Sequence, residues 1–405
     1  QASHGQVQPG WFKQRIERDR RHFYRKWRGY RGNRYVRDVP WGKAIHAHPP
    51  TWQDICGENG RRPADTGRPL VSVVIPCYER PDLLAETLRS VAQQTHEPIE
   101  IILVDDASTP SLRPAAEEAL KGFTGAWRMV RLSHNAGPGI ARQVGTQLAR
   151  GAYIQYLDSD DLMQAEKLTC QVEFLEAHPE MAMTYAPSAY YQPGVALPPE
   201  SGLLGRTGAD FARILPDVLD RIIWTTSSCL WRREWASDPT LWKPLYGLED
   251  TVFDFLVGMA DRPIGRTPSE GPLLLKRVHG RSLSGGIAGD IPYQQEILKG
   301  YDYMWASLQA SGEVGRLRRR VAELYAGKIM LFLTHRRYWE AQYCIDRART
   351  IDPASLPCDA KLANVFNRFS GTFLGFGILR RWRWARRIAH RKRLAISRVL
   401  QRGRV

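Results

Sequence analysis

The 405-residue chain contains no uninterrupted run of 18 apolar residues, so its sequence predicts no standard membrane-spanning helix. Six scattered cysteines form no C-x-x-C pair and no Cys/His cluster with zinc spacing, which favours a reducing compartment without structural disulfides. No apolar segment accompanies the charged N-terminal residues, so we expect no secretory signal. The 26 Pro and 34 Gly follow no fixed period, which excludes a fibrous protein.

Acidic residues are scarce at both ends of the chain. Residues 1–40 carry eleven Lys/Arg against three acids, and residues 360–405 carry thirteen Lys/Arg and no acid. Since the net charge is +16, the middle of the chain is mildly acidic, at −5. This distribution predicts a catalytic body with basic anchoring arms, although solvated tails would have the same composition.

The C-terminal arm has the pattern of a basic amphipathic helix. Within residues 378–400, apolar side chains fall on one helical stripe and most Arg and Lys on the other face. This pattern predicts a peripheral anchor on an anionic membrane, and a cytoplasmic protein at the inner face of the cell membrane. A helix packed on the protein's own core is the alternative.

Strands and helices alternate from Leu70 onward. Apolar runs predict strands at 71–75, 99–104, 127–132 and 153–157, with helices at 81–94, 114–121 and 138–150 between them. Such alternation predicts an α/β fold with a mostly parallel central sheet flanked by helices. Further helices are expected at 162–177 and 249–259, strands at 182–186, 222–231 and 272–278, and a helical region beyond about 290.

Acidic residues follow two of these strands, where parallel sheets bind ligands. Asp158 and Asp160 form a D-x-D whose carboxylates suit a hard divalent cation, Mn²⁺ or Mg²⁺, although exposed Asp pairs are common. Asp161 is expected to cap the next helix. Asp106 suits a nucleobase N–H or ribose hydroxyls, or an Asx turn.

Five further residues have both a functional and a structural interpretation. Tyr78 would stack on a base or be an ordinary half-buried aromatic residue, and Arg142 would reach a phosphate or lie on a helix surface. Glu249-Asp250 would supply a general base or only favour a helix N-terminus. His279 would complete a metal site or be structural.

Taken together, five segments resemble family 2 inverting glycosyltransferases of the GT-A fold. They are VSVVIPCYER (71–80), IILVDDAST (101–109), NAGPGIARQVG (135–145), YIQYLDSDD (153–161) and LED (248–250). The resemblance covers roughly residues 70–285. Glu79 departs from the usual Asn of the family, and Ala107 departs from its usual Gly.

The resemblance implies a role for each matching residue. Nucleotide-sugar binding would involve Pro76, Tyr78, Glu79, Asp106, Arg142 and Asp158. The metal ligands would be Asp158, Asp160 and His279, and Asp250 would be the catalytic base with Glu249 beside it.

The resemblance also implies an activity and a domain organisation. We expect a non-processive hexosyltransferase, because processive members carry a Q-x-x-R-W motif that this sequence lacks. It would move a sugar from a nucleotide-sugar, such as a UDP-sugar, to a glycan or lipid-linked acceptor in bacterial surface polysaccharide synthesis. A catalytically inactive GT-A-like scaffold and a basic nucleic-acid-binding protein are the alternatives, and the acidic centre disfavours the second.

The expected segments are an N-terminal extension (1–69), a GT-A domain (70–289), a helical appendage (290–359) and an amphipathic tail (360–405).

Overall fold

The computed structural model of the protein describes residues 52–192, 203–204, 207–220, 223–238, 240–278, 291–312, 314–335 and 337–355. His279, the basic arm up to residue 51 and the predicted amphipathic tail lie outside the described residues. The strands are β1 (Trp52–Glu58), β2 (Val71–Cys77), β3 (Ile99–Asp105), β4 (Ala126–Leu132), β5 (Tyr153–Tyr156), β6 (Leu162–Met163), β7 (Met183–Tyr185), β8 (Ser188–Tyr191), β9 (Cys229–Arg232), β10 (Ile264–Arg266) and β11 (Leu274–Arg277). The helices are α1 (Pro81–Ala92), α2 (Arg113–Ala119), α3 (Pro138–Leu148), α4 (Lys167–Ala177), α5 (Asp217–Asp220), α6 (Arg233–Ala236), α7 (Glu249–Gly258), α8 (Ile291–Ser311), α9 (Val314–Thr334) and α10 (Tyr338–Ile351).

An eight-stranded sheet forms the centre of the fold, in the order β1-β4-β3-β2-β5-β9-β7-β10. β2 runs parallel to β3 and β5, β3 to β4, and β7 to β10. β1 and β9 run antiparallel to their neighbours. The sheet is mostly parallel, as the alternation of strands and helices predicts. It also includes β1, which lies N-terminal to the expected domain boundary at 70.

The central strand β2 positions the three loops of the candidate site. All seven of its residues are buried, which explains a β-branched run without polar alternation. Because β2, β3 and β5 are parallel, their carboxyl ends meet at one edge of the sheet. The loops after these three strands therefore begin next to one another. These loops contain Tyr78, Asp106 and Asp158.

A three-stranded sheet, β6-β11-β8, extends this edge. β11 runs antiparallel to β6 and parallel to β8. The end of β11 contacts the loop after β5, because the backbone N–H of Arg277 donates to Asp161 Oδ1 at 3.3 Å and its Nε donates to the Asp160 carbonyl at 3.1 Å. Residues from the end of the domain thereby join the acidic loop.

Two sequence-based predictions of secondary structure are wrong. Residues 162–163 form strand β6, and helix α4 begins only at Lys167, so Asp161 does not cap that helix. Of the predicted strand 222–231, the structure describes residues 223–231, where a 3₁₀ turn over Thr226–Ser228 replaces part of the strand and only the short strand β9 forms. In the first case, pairing of β6 with β11, more than a hundred residues away, overrides the helical pattern.

Helices α8, α9 and α10 form the C-terminal part of the described structure. Asp302 of α8 links all three, because it accepts hydrogen bonds from Tyr325 of α9 at 2.7 Å and from Tyr343 and Arg347 of α10 at 2.6 and 2.7 Å. Arg347 also balances the carboxylate charge. Among the described helices, none is both long enough and apolar enough to cross a membrane.

Candidate active site

The loop after β2 presents Tyr78 to solvent and is braced by the loop after β3. Pro76 is buried within β2 opposite Val104, whereas the Tyr78 side chain is 43% exposed. The backbone N–H of Glu79 donates to Ser108 Oγ at 2.8 Å. Glu79 has a left-handed φ of 55°, and Ala107 in the second loop has a φ of 65°. Both departures from the family pattern therefore stand where Asn or Gly fits the backbone more easily.

Asp106 holds the turn that precedes helix α3. Its two carboxylate oxygens accept hydrogen bonds from the backbone N–H groups of Ala136, at 2.6 Å, and Gly137, at 2.8 Å. Burial raises the pKa of Asp106, although these two hydrogen bonds oppose the shift. Each oxygen retains a lone pair, so the carboxylate fixes this turn and is still able to accept from a ligand.

Arg142 of α3 joins two acidic groups that are far apart in the sequence. Its Nη2 donates to Asp158 Oδ1 at 2.7 Å, and its Nη1 donates to Glu249 Oε1 at 3.0 Å. The guanidinium also lies 4.9 Å from the centroid of the Trp242 ring. Burial opposes its charge, yet Asp158 and Glu249 together raise the pKa of Arg142. Arg142 is thus a buried link between the D-x-D loop and helix α7, not a helix-surface residue.

Three carboxylates cluster after β5. Asp158, Asp160 and Asp161 each offer an oxygen, and these oxygens lie within 4.8 Å of one another. Asp160 pairs with Arg80, whose Nη1 lies 3.2 Å from Asp160 Oδ2. Asp161 Oδ2 is buried without a hydrogen-bond partner. A compact set of carboxylate oxygens, one of them unsatisfied, fits a hard divalent cation such as Mn²⁺ or Mg²⁺.

The cluster shifts the pKa values of its members in opposite directions. Burial raises the pKa of Asp161 to about 7, and the charges of Asp158 and Asp160 add to this effect. Burial alone would raise the pKa of Asp158 too, but Arg142 and Lys276 hold it below its usual range. The pKa of Asp161 therefore lies above its usual range and that of Asp158 below it, although the two carboxylates are neighbours.

Lys276 of β11 is a cation of this site that the sequence reasoning missed. Burial opposes its charge, but the carboxylates of Asp161, Asp158, Asp160 and Asp250 raise its pKa. Its only sequence signal is its position three residues before His279, which does not distinguish it from Arg277. Asp161 was also missed as a site residue, although it adjoins the D-x-D.

Glu249 and Asp250 open helix α7, as the sequence predicts. Leu248, just before them, has a left-handed φ of 67°. Asp250 is half-buried, and its Oδ1 accepts from the backbone N–H of Thr251 at 2.6 Å. Burial and the neighbouring charge of Asp250 raise the pKa of Glu249 to about 7, against the opposing effect of Arg142.

Comparison with known proteins identifies the domain. The model of glycosyl transferase family 2 matches residues 72–222. These residues form a family 2 glycosyltransferase domain. Three curated relatives of the domain are TuaG of Bacillus subtilis, named for teichuronic acid biosynthesis (38% identical over 108 residues), a poly(ribitol-phosphate) beta-glucosyltransferase of Bacillus spizizenii (38% over 100) and the succinoglycan biosynthesis protein ExoO of Rhizobium meliloti (33% over 118).

These similarities cover limited parts of each protein. The matched segments span 27%, 24% and 28% of this chain and 42%, 16% and 32% of the three relatives. The chain thus spans less than half of each relative's length. A longer match is to the structure of residues 1–349 of TarS from S. aureus in complex with UDP, which covers 73% of this chain and 88% of that one. At 17% identity and a TM-score of 0.54, it confirms the GT-A-type fold of the family 2 domain.

Proposed function

We propose that the protein is a glycosyltransferase that moves a sugar from a nucleotide-sugar to a hydroxyl of a glycan or lipid-linked acceptor. The observation that carries the proposal is the double ion pair of Arg142, which brings Asp158 of the D-x-D loop and Glu249, the neighbour of Asp250, to one guanidinium. A donor group beside Asp158 would therefore lie near the carboxylate able to activate an acceptor.

The relatives suggest the classes of donor and acceptor. Two are named for teichuronic acid and poly(ribitol-phosphate), and the structural neighbour was crystallised with UDP. We therefore propose a UDP-sugar as donor, and a bacterial surface polysaccharide or its lipid-linked precursor as acceptor. Transfer of one or a few sugars remains our interpretation of the missing Q-x-x-R-W motif.

Donor binding is assigned to the loops after β2, β3 and β5. The exposed ring of Tyr78 offers a stacking surface for the base, and Asp106 offers acceptor oxygens for base or ribose. Asp158 and Asp160 would hold Mn²⁺ or Mg²⁺, which when bound supplies positive charge to the diphosphate leaving group. Lys276 adds a fixed positive charge of the protein itself.

Asp250 is the proposed general base. Its half-buried carboxylate would take the proton from the acceptor hydroxyl as the hydroxyl oxygen attacks the anomeric carbon. The bond to the nucleotide diphosphate breaks on the opposite face, so a single displacement inverts the anomeric configuration. Arg142 keeps Asp158 and Glu249 in place, so the protein orients these groups before the substrate binds.

A screen of UDP-, GDP- and dTDP-sugars tests the proposal, with released nucleotide as the readout and Mn²⁺ present. We expect release with at least one donor, its loss on chelation of the metal, and its loss in Asp160→Ala. Nucleotide binding without release from any donor, across a panel of glycan and lipid-linked acceptors, would support an inactive scaffold. Absence of nucleotide binding together with salt-sensitive RNA gel shifts would support the nucleic-acid alternative.

A further inference from the structure

Two exposed tyrosines flank Asp106. Among the described residues, the exposed large hydrophobic side chains are Tyr78, Tyr190, Tyr246 and Val278. Tyr246, at 41% exposure, precedes helix α7 and is about as accessible as Tyr78. Asp106 and Tyr246 both bond to the turn 135–137, because Asp106 accepts from the N–H groups of Ala136 and Gly137 and the Tyr246 hydroxyl donates to the Asn135 carbonyl. Two solvent-accessible tyrosines therefore lie on loops that adjoin Asp106, because the backbone N–H of Asp106 also donates to the carbonyl of Cys77, next to Tyr78.

The ring of Tyr246 is held in place although it is exposed. Its hydroxyl donates to the Asn135 carbonyl at 3.0 Å. Its ring lies so close to Gly137 that a Cβ there would stand 3.2 Å from two ring atoms, and Gly137 has a φ of 88° that also suits glycine. Since the ring is fixed before any ligand arrives, stacking on it would cost little side-chain entropy.

The same turn connects Tyr246 to the carboxylate proposed to bind the nucleotide. Gly137 N–H donates to Asp106 Oδ2 at 2.8 Å, and a Cβ on the same residue would lie 3.2 Å from two atoms of the Tyr246 ring. Asp106 and Tyr246 are thus set in a fixed relation by residues 135–137. An aromatic face and an acceptor at a fixed spacing are what a planar heterocycle with N–H groups requires.

We propose that Tyr246 is a specificity residue that forms the second aromatic wall of the nucleobase pocket, with Tyr78 as the first wall and Asp106 at its polar edge. The inference rests on the proposed function and extends it, because the loop that leads into helix α7 and Asp250 would then contribute to the donor site. The competing interpretation is that Tyr246 only braces the turn 135–137 and never contacts a ligand.

The test measures binding of UDP and of inorganic pyrophosphate by calorimetry, with saturating Mn²⁺, for the full chain and two variants. Tyr246→Ala removes the ring, whereas Tyr246→Phe keeps the ring and removes only the hydroxyl. If the ring stacks on the base, Tyr246→Ala weakens UDP binding about tenfold, since base–aromatic stacking is worth roughly 1–3 kcal/mol per base. Pyrophosphate has no base, so its affinity stays unchanged, and Tyr246→Phe binds UDP within about threefold of the unmodified protein.

Each result has a defined meaning. Equal UDP affinity of Tyr246→Ala and the unmodified protein overturns the inference and leaves the proposed function intact. Loss of pyrophosphate binding along with UDP, or an equal loss in Tyr246→Phe, assigns Tyr246 a bracing role and also overturns it. If the unmodified protein binds no UDP but binds another nucleotide, the measurement is repeated with that nucleotide. Binding of no nucleotide at all removes the proposed function, and the inference with it.

Discussion

Ala107 shows how a single residue in the site departs from its preferred backbone conformation. Its φ of 65° lies in the left-handed region, where a Cβ is unfavourable and glycine is not. Asp106 and Ser108, on either side, hold the conformation through hydrogen bonds to Gly137 and Glu79. The strain therefore sits between two residues that anchor the loops of the candidate donor site.

Replacing Ala107 by glycine is expected to stabilise the protein. Ala107→Gly should raise the free energy of unfolding by about 1 kcal/mol, because it removes the left-handed penalty of an L-residue. Chemical denaturation measures the change. The matched control is Ala115→Gly in helix α2, which should lower the free energy of unfolding by about 1 kcal/mol. A destabilising effect of the same size in both variants would contradict the expectation.

At the scale of elements, helix α4 carries a buried lysine beneath the sheet. Lys167 donates to Gln155 Oε1 at 2.5 Å and to Gln171 Oε1 at 2.6 Å, and Gln155 in turn donates to the Ser227 carbonyl at 2.9 Å. Ser227 Oγ accepts from the backbone N–H of Asp158 at 3.0 Å. This buried network supports the acidic loop, and burial lowers the pKa of Lys167 from 10.5 to about 7.

The lowered pKa predicts a pH-dependent stability of known sign. Between pH 7 and about 10 the unfolded lysine binds a proton that the folded one has lost, so stability rises with pH in this window, by about 1 kcal/mol per unit. Below pH 7 both states are protonated and the contribution is flat. The difference in unfolding free energy between the unmodified protein and Lys167→Met, measured from pH 6 to pH 9, isolates this contribution. A difference that falls or stays constant as pH rises would refute the prediction.

Helix α8 contacts the loop that precedes the candidate base Asp250. A Cβ on Gly247 would lie 2.3 Å from Tyr293 Cε2, and burial, with the charges of Glu249 and Asp250, raises the pKa of Tyr293 to about 12. Helix α8 therefore packs against the segment that leads into helix α7.

Gly247→Ala should displace either this loop or the start of helix α8. We expect destabilisation of about 1–3 kcal/mol from overpacking, and a fall of at least about tenfold in nucleotide release. Gly271→Ala is the matched control, because a Cβ there meets nothing within 4 Å. The double variant Gly247→Ala/Tyr293→Ala should recover part of the lost stability. If Gly247→Ala and Gly271→Ala behave alike, the contact has no effect.

Some residues of the candidate site can be predicted from the sequence, and others cannot. The acidic residues after β3 and β5, and the pair opening α7, are visible because buried strands and a helical pattern adjoin them. Lys276 and Tyr246 were not identified, because the groups near them lie 26 or more residues away in the chain, and Asp161 was interpreted as a helix cap although it adjoins the D-x-D. The start of α4 was missed for the same reason, since pairing of β6 with β11 is a long-range contact.

At the scale of the whole molecule, acidic and basic charge are separated along the chain. The acidic middle of the chain includes the site with its clustered carboxylates, whereas the basic excess lies wholly in the two arms. The membrane-anchor role of residues 360–405 is a prediction from sequence, because these residues lie outside the described part of the chain.

Deleting residues 360–405 should strongly reduce co-sedimentation with vesicles that contain anionic lipid. Thirteen basic residues at about 1 kcal/mol each near the surface are ample for binding, and the interaction should weaken as salt is raised. Vesicles of neutral lipid serve as the control for hydrophobic adsorption. Unchanged co-sedimentation of the truncated chain with anionic vesicles would defeat the anchor hypothesis.

The measurement that bears most directly on the proposed chemistry compares UDP release and UDP binding in the unmodified protein and in Asp250→Asn. Asp250 is placed as the proton acceptor, beside the donor-binding residues but not among them. Asp250→Asn should therefore lower release of UDP from its donor about 10²–10⁴-fold, while the affinity for UDP stays within about threefold. Equal rates of release in the two proteins, with UDP bound equally well, would contradict the assignment of Asp250 as the catalytic base.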